Sequence, residues 1–469
     1  MFIPRPLLES ITAGLLGLLL VAANGSPVFA VPAAHDDATV SIRQETAPAR
    51  DRVSLNAGWR FQRSTASPDN LSYEKLKAYI LPSANGFLKD TSKRARRPAE
   101  EPANVTIAQA AFDDSAWEAL NLPHDWAVKG PFYSGSGAVI GGGMGRLPIH
   151  GIGWYRRKFS VSAADVDGGG KKSVFLDVDG AMSYAMVWLN GFLVGGWPYG
   201  YASFQLDLTP YIKAGDNQLA IRLENAVDSS RFYPGAGIYR NVWLTKVAPQ
   251  HVGYDGTYIV SRQVSRQSAT LDLVTQVENS ATVGGALEID VLTDIYVLDV
   301  ASGRATEKVG QFPSAKVSVG PGTKQTVNAS ATLQNPRLWG PRPSQEPNMY
   351  VAITRLASGG KTLDEYPTRF GIRSLQYSGD GIRINGERVY LQGVCQHHDL
   401  GSLGSAFIVP AARRQLEMLQ DMGSNAIRTS HNPPARELLD LADEMGILIL
   451  DEVRFLSFPF SLGIHVSRG

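Results

Sequence analysis

Three clusters of polar and ionisable side chains fall between residues 389 and 453, each at the end of an apolar run. Gln396, His397, His398 and Asp399 close the first run, Arg428, His431 and Asn432 the second, and Asp451 and Glu452 the third. Imidazoles, a guanidinium, an amide and carboxylates gathered in one place are the groups an active site uses to hold and polarise a substrate. The plainer reading makes them caps and strand-end ion pairs, with Glu452 bound to Arg428 and Asn432 capping the helix that follows it. A His pair also raises the question of a metal. No third ligand recurs at zinc-like spacing, so no metal site is expected. Cys395, the sole cysteine, reads as a packed strand-end thiol, because thiol chemistry needs a base and an oxyanion site that cannot be assigned here.

The segments between the clusters have to bring them together. Residues 389–394 are short and apolar, as a buried parallel strand should be. Pro410 suits a first helical turn, Leu416, Met418, Leu419 and Met422 recur at roughly helical spacing, and Gly423 supplies a stop. Residues 425–430 read as a second strand. Pro433 and Pro434 open a second helix carrying Leu438, Leu439, Leu441 and Met445, Gly446 ends it, and 447–450 is a third, fully apolar strand. Two strand–helix–strand crossovers in series predict a parallel sheet. In a parallel barrel the carboxyl ends of the strands form the active face, so all three clusters would share it.

Upstream the pattern is β throughout. From residue 111 to 244 short alternating runs are divided by turn signals, among them Asn190-Gly191, which predicts a hairpin. Many short strands of this kind predict a jelly-roll β-sandwich over 51–250. Alternation resumes from 251 to 374 with the length of one immunoglobulin-like sandwich, read as a spacer. A small hairpin turning at Asn385-Gly386 leads into the parallel segment, 375–453. The stretch 64–109 is charged and patchy, with no element assigned. Its basic run at 93–98 reads as a solvated loop, since no aromatic residues interleave it as nucleic-acid binding would require.

The 469 residues suffice for two to four domains at roughly 100–200 residues each. A net charge of +1 leaves no electrostatic footprint for nucleic acid or an anionic membrane. Arg5, the apolar run 11–23 and the Val28-Phe29-Ala30 site read as a cleaved export signal over 1–30, too short for stable membrane insertion. A loose leader would follow over 31–50, and the mature chain would be secreted or periplasmic. A single cysteine means folding without an intrachain disulfide.

The runs GVCQHHDLGSLG, MGSNAIRTSHNPP and DEMGILILDE resemble the start of the catalytic barrel in family 2 glycoside hydrolases, the HHDLG run pointing to the β-galactosidase branch. The ordered upstream motifs resemble the sugar-binding domain that precedes the barrel in the same family. The fold class expected is therefore a galactose-binding-like jelly roll, an immunoglobulin-like sandwich and an incomplete (β/α)8 TIM barrel. The resemblance implies retaining hydrolysis of terminal β-D-galactosides, a carbohydrate partner and no cofactor, and leaves self-association open. His397, His398, Arg428, His431 and Asn432 fall on positions lining the sugar pocket. Asp125 and Asn241 match positions whose loops reach that pocket, and either is equally a turn residue. Glu452 falls where some members bind magnesium, but Arg454 stands two residues on, where a partner is expected, so no metal is predicted. A retaining mechanism needs two carboxyl groups about 5–5.5 Å apart. The resemblance puts them after the fourth and seventh strands, so neither falls within this sequence, and the 454–469 tail reads as aberrant. A sheet begun with three strands would leave its last strand, 447–450, exposed at an unpaired edge. The alternative function is a non-catalytic carbohydrate-binding protein built on the jelly roll.

Overall fold

The computed structural model describes residues 49–64, 69–84, 105–132, 147–166, 171–225 and 233–452. The export signal, almost all of the leader, the basic run at 93–98, Arg454 and the 454–469 tail lie outside the described residues.

The jelly roll is two antiparallel sheets face to face. One runs Asp51–Ser54, Val242–Val247, Ser173–Val178, Phe204–Asp207 in spatial order. The other runs Glu118–Leu120, Trp59–Ser64, Gly151–Val161, Gly215–Asn225, Ala185–Leu189, Phe192–Trp197. Between them Leu176, Val178, Val187, Leu189, Leu219, Ile221 and Val242 are fully buried. The Asn190-Gly191 hairpin forms as expected, with φ of +53° and +88° and Leu189 paired to Phe192. The patchy stretch holds an unforeseen helix, Tyr73–Ala84, on the outer face of the larger sheet. Its Tyr73, Leu76 and Ile80 pack on Trp154, Met186 and Trp188, so that sheet is buried on both faces. Asp69, just ahead of the helix, accepts from Trp154 Nε1 at 2.7 Å and Arg222 Nε at 2.9 Å, which pins the helix to the strands.

A second sandwich follows. Gln250–Arg262, Ser268–Asn279 and Thr323–Gln334 form one sheet; Arg304–Gln311, Leu287–Asp299, Tyr350–Ser358 and Lys361–Phe370 form the other, with Ala315–Val319 beside Leu287–Asp299. The antiparallel strands Leu375–Ser378, Gly381–Ile384 and Glu387–Val389 come next, turning at Asn385-Gly386 with φ of +55° and +81°.

The parallel sheet consists of Gly393–Gln396, Ala426–Thr429 and Leu448–Leu450, crossed over by helices Val409–Asp421 and Arg436–Met445. Its first strand corrects the 389–394 expectation. Val389 ends the preceding hairpin, Tyr390 and Leu391 are exposed, and pairing begins at Gly393. Gly393 lies so close to its neighbour that a Cβ there would sit 2.6 Å from the Ala426 carbonyl oxygen. The second helix starts at Arg436 rather than at the prolines, and Gly446 ends it at φ +73°. Of the apolar series on the first helix, Leu416 is buried and Leu419 packs against the core, whereas Met418 and Met422 are exposed.

Among the described residues the third strand is the edge expected, paired on one side only, but its apolar side chains are not exposed. Ile447 and Ile449 are buried with Leu416, Ile427 and Leu441, and Leu448 is buried with Trp339 and Val351 of the second sandwich. That sandwich also grips the helix ahead of the strand. Arg369 pairs with Glu444 at 2.8 Å, Trp339 Nε1 donates to the Asp443 carbonyl at 2.8 Å, and the Arg342 amide donates to the Gly446 carbonyl at 3.0 Å. Among the described residues no helix is long and apolar enough to cross a membrane.

Leu441→Ala should therefore cost the parallel segment about 2–5 kcal/mol. Hydrogen exchange should speed up in both crossover helices while jelly-roll amides stay protected; equal loss in both regions would contradict this division.

Candidate active site

At the carboxyl ends of the parallel strands the register sets Cys395 beside Arg428 and Arg428 beside Leu450, so three chain segments converge. Glu452 joins them: one oxygen pairs with Arg428 Nη2 and the other accepts from His431 Nδ1 at 2.7 Å. The His431 ring stands edge-on to that of His397, centroids 5.8 Å apart. Thr429 Oγ1 binds Asp451 at 3.2 Å and accepts from the Glu452 amide at 3.3 Å, fixing the third strand's end to the second. The four sequence candidates His397, Arg428, His431 and Glu452 thus form one partly exposed cluster. Both Glu452 oxygens are engaged, and among the described residues no group of three or more His, Cys, Asp or Glu side chains could hold a metal. Cys395 is exposed, not packed, because the pleat turns it to the same face as Arg428. The Arg428 guanidinium donates to its sulfur at 3.3 Å and draws the thiol pKa down.

His398 points elsewhere. Its Nε2–H donates to the Pro234 carbonyl at 3.1 Å, and its ring meets Tyr201 and Tyr239 of the jelly roll, centroids 5.2 and 5.8 Å away. Burial drives its pKa from an ordinary 6.5 to about 4, so it is neutral near pH 7. Its Nδ1 and Gln396 Oε1 are buried acceptors that no described donor reaches. Both residues line a small cavity of about 30 Å³, a volume that can hold a water molecule. Asn432 is buried in the loop before the second helix and donates to the Pro433 carbonyl at 3.3 Å. It does not cap that helix: Ala435 occupies the N-cap, without a side-chain bond.

Asp125 and Asn241 face the domain junction. Asp125 is buried and accepts five hydrogen bonds: from the amides of Ala127 (3.0 Å), Ala236 (3.2 Å) and Ser405 (2.9 Å), and from the hydroxyls of Tyr233 (2.7 Å) and Ser405 (3.0 Å). Burial, then this carboxylate, pushes the Tyr233 phenol pKa up. Side chains are excluded around it, since a Cβ at Gly404 (φ +62°) would lie 2.4 Å from Asp125 Oδ2 and one at Gly235 (φ +72°) 1.9 Å from Ser405 Oγ. Asn241 accepts from Asn56 Nδ2 at 2.8 Å and donates to Glu437 Oε1 at 2.6 Å. Arg240, missed in the sequence, is buried there and donates to the carbonyls of Asp179, Tyr201 and Pro433. A buried arginine in the run IYRNVW was the available signal: such a charge must find acceptors.

Comparison with known proteins gives this geometry its context. Residues 99–248 match the sugar binding domain of glycosyl hydrolases family 2, residues 255–373 the domain called glycosyl hydrolases family 2, and residues 376–467 the TIM barrel domain of that family. The chain belongs to glycosyl hydrolase family 2. It is 40% identical over 351 residues to a β-galactosidase of Bacteroides ovatus, a match spanning 74% of this chain and 39% of that protein. It is 30% identical over 353 residues to a β-glucuronidase of Bacteroides fragilis, spanning 72% of this chain and 46% of that protein. A crystal structure of a family 2 member from Bacteroides cellulosilyticus superposes with a TM-score of 0.70 at 27% identity, covering 86% of this chain and 46% of the other. The chain thus spans less than half the length of these relatives. The jelly roll, immunoglobulin-like sandwich and TIM-barrel strands are the architecture of that family, and its barrel strands end in the His397–Arg428–His431–Glu452 cluster.

Two expectations follow. Asp125→Ala leaves five donors without their acceptor and should destabilise the junction by about 3 kcal/mol or more, seen as faster proteolysis near Ser405; unchanged cleavage would deny the carboxylate this role. For pH, His398 and His124 both ionise at about 4 when folded against an ordinary 6.5. From pH ~6.5 down to ~4 the unfolded chain then binds more protons, and stability falls with pH. Asp179, raised by burial and by Glu437 to about 6, acts in the opposite sense over nearly the same window. The difference between wild type and His398→Gln isolates one site: the variant should lose about one proton's worth of slope there.

Proposed function

We propose that the barrel-strand cluster is the sugar site of a β-galactosidase-type glycosidase acting on terminal β-D-galactosides by a retaining mechanism. The observation that carries this reading is the convergence of His397, Arg428, His431 and Glu452 at the carboxyl ends of parallel strands in a family 2 chain. His431 is oriented by Glu452 through Nδ1, which leaves Nε2 to meet a sugar hydroxyl, and His397 stands beside it. The relatives named β-glucuronidase favour a second reading, a substrate with a carboxylate. Against it, Arg428 is already neutralised by Glu452 and Arg240 is spent on three carbonyl groups, so neither guanidinium is poised for an anionic sugar. The export expected from the sequence would suit an enzyme that meets glycans outside the cytoplasm.

Binding and turnover separate in this proposal. Protonating the leaving oxygen and attacking the anomeric carbon take two carboxyl groups at close separation, and Glu452, tied to Arg428 and His431, is one. The 469-residue polypeptide by itself is therefore expected to bind galactose in preference to glucuronate and to turn over no chromogenic β-galactoside above background. Calorimetric titration of both sugars and a chromogenic assay test this, with Arg428→Ala weakening galactose binding about tenfold or more. Stronger glucuronate binding would favour the second reading. Turnover abolished by Glu452→Gln would place the catalytic carboxylate at Glu452 instead. Saccharide binding that survives Arg428→Ala and His431→Ala would favour the non-catalytic carbohydrate-binding protein.

A further inference from the structure

We propose that the jelly roll carries a stacking subsite on Tyr199 and Tyr184, which takes the saccharide units beyond the terminal sugar held at the barrel strands. It rests on the sugar-site reading above and extends it to a part of the molecule that reading does not use. Tyr199 is 40% exposed and Tyr184 38%, whereas Tyr201 and Tyr239 beside them are buried. The exposed pair is joined through the backbone, the Tyr184 amide donating to the Pro198 carbonyl at 3.1 Å. A line of rings then leads to the barrel: Tyr199 meets Tyr201 edge-on at 5.6 Å, and Tyr201 meets His398 edge-on at 5.2 Å. Tyr201 is buried, so this line runs beneath the surface and places the exposed pair beside the junction of the jelly roll with the loop after the first barrel strand, and both tyrosines fall inside the residues matching the family's sugar binding domain.

The segment is held rigidly. Tyr239 Oη donates to the Gly200 carbonyl at 2.8 Å. A Cβ on Gly200 would lie 2.4 Å from Met182 Sδ, so the chain lies flat against its support. Tyr184 adopts φ +46°, a conformation that bulky residues rarely enter and that a structure keeps where it holds a side chain in a particular place. Its ring is backed by Tyr73 at 5.1 Å. Exposed aromatic rings fixed in this way offer large contact area at small entropic cost. The apolar face of a pyranose is a ligand of matching shape that brings no charge, and a polymer of such rings reaches from one site to the next.

The test is titration of the full chain with galactose and with β-linked galactosyl di- and trisaccharides, followed by calorimetry. The longer saccharides should bind about tenfold more tightly than galactose, the scale of one good aromatic contact. Tyr199→Ala should remove that gain and leave galactose affinity unchanged, while Tyr199→Trp should restore it. Circular dichroism establishes that the variants are folded. Galactose binding with no gain for longer saccharides, or a gain that survives Tyr199→Ala, overturns the subsite and leaves the sugar-site reading standing. A length-dependent gain that persists when Arg428→Ala abolishes galactose binding supports the subsite and removes its link to the barrel cluster. A chain that binds neither galactose nor oligosaccharide overturns both. If Tyr199→Ala abolishes self-association in sedimentation with saccharide affinities unchanged, the surface belongs to a second copy and the proposal falls.

Discussion

One buried carboxylate ties the sugar-binding sandwich to the barrel. Asp125 receives donors from its own turn, from Tyr233 and Ala236 at the end of the jelly roll, and from Ser405 in the loop after the first barrel strand. A carboxylate out of water is stable only when its lone pairs are met, and no single segment supplies enough donors. Each bond is therefore conditional on the other segments being in place. The glycines packed around it at 235 and 404 show how little room that arrangement leaves.

The same logic runs along the rest of the junction. Arg240 crosses from the jelly roll to the Pro433 carbonyl, Asn241 to Glu437, and Arg436 to Asp255 of the second sandwich. The helix Arg436–Met445 is thereby held at its start by both sandwiches and at its end, through Glu444 and the Asp443 carbonyl, by the second. The strand ends that carry Arg428, His431 and Glu452 inherit their positions from that helix and from the strands flanking it. Position is what such a cluster contributes, since a donor misplaced by an ångström loses much of its effect on a bound ligand. Charge is balanced locally, with Glu452 meeting Arg428 and His431 together, so the cluster presents hydrogen-bonding groups more than net charge.

The sandwiches play unequal parts. The jelly roll reaches the barrel with side chains that bond to its loops. The immunoglobulin-like domain covers the flank of the third strand, burying Leu448 against Trp339 and Val351. Its Arg369 and Asp255 also hold the second crossover helix, at Glu444 and Arg436.

Much of this was legible in the residues. Alternation in 174–191 and 217–225, the Asn-Gly turns at 190 and 385, the helical spacing of Leu438, Leu441 and Met445 and the stop at Gly446 are local rules that the tertiary structure does not override. The gathering of His397, Arg428, His431 and Glu452 was legible too, because parallel strands joined by helical crossovers bring successive carboxyl ends to one face. The helix Tyr73–Ala84 was written in the spacing of Tyr73, Leu76 and Ile80, but charged neighbours obscured it. What only the tertiary structure decided were matters of partner and direction. Two residues apart in function, His397 and His398 are adjacent in sequence; one turns to His431 and the other into the jelly roll, since consecutive side chains leave the backbone in different directions and only packing says what each one meets. Asp125 and Asn241 were open between sugar contact and turn, and the partners that fix their positions, the donor Ser405 and the acceptor Glu437, lie 280 and 196 residues away. Periodicity reports which face of an element is apolar; it is silent on which distant segment will supply the donor to a buried oxygen, because that depends on the closure of the whole chain.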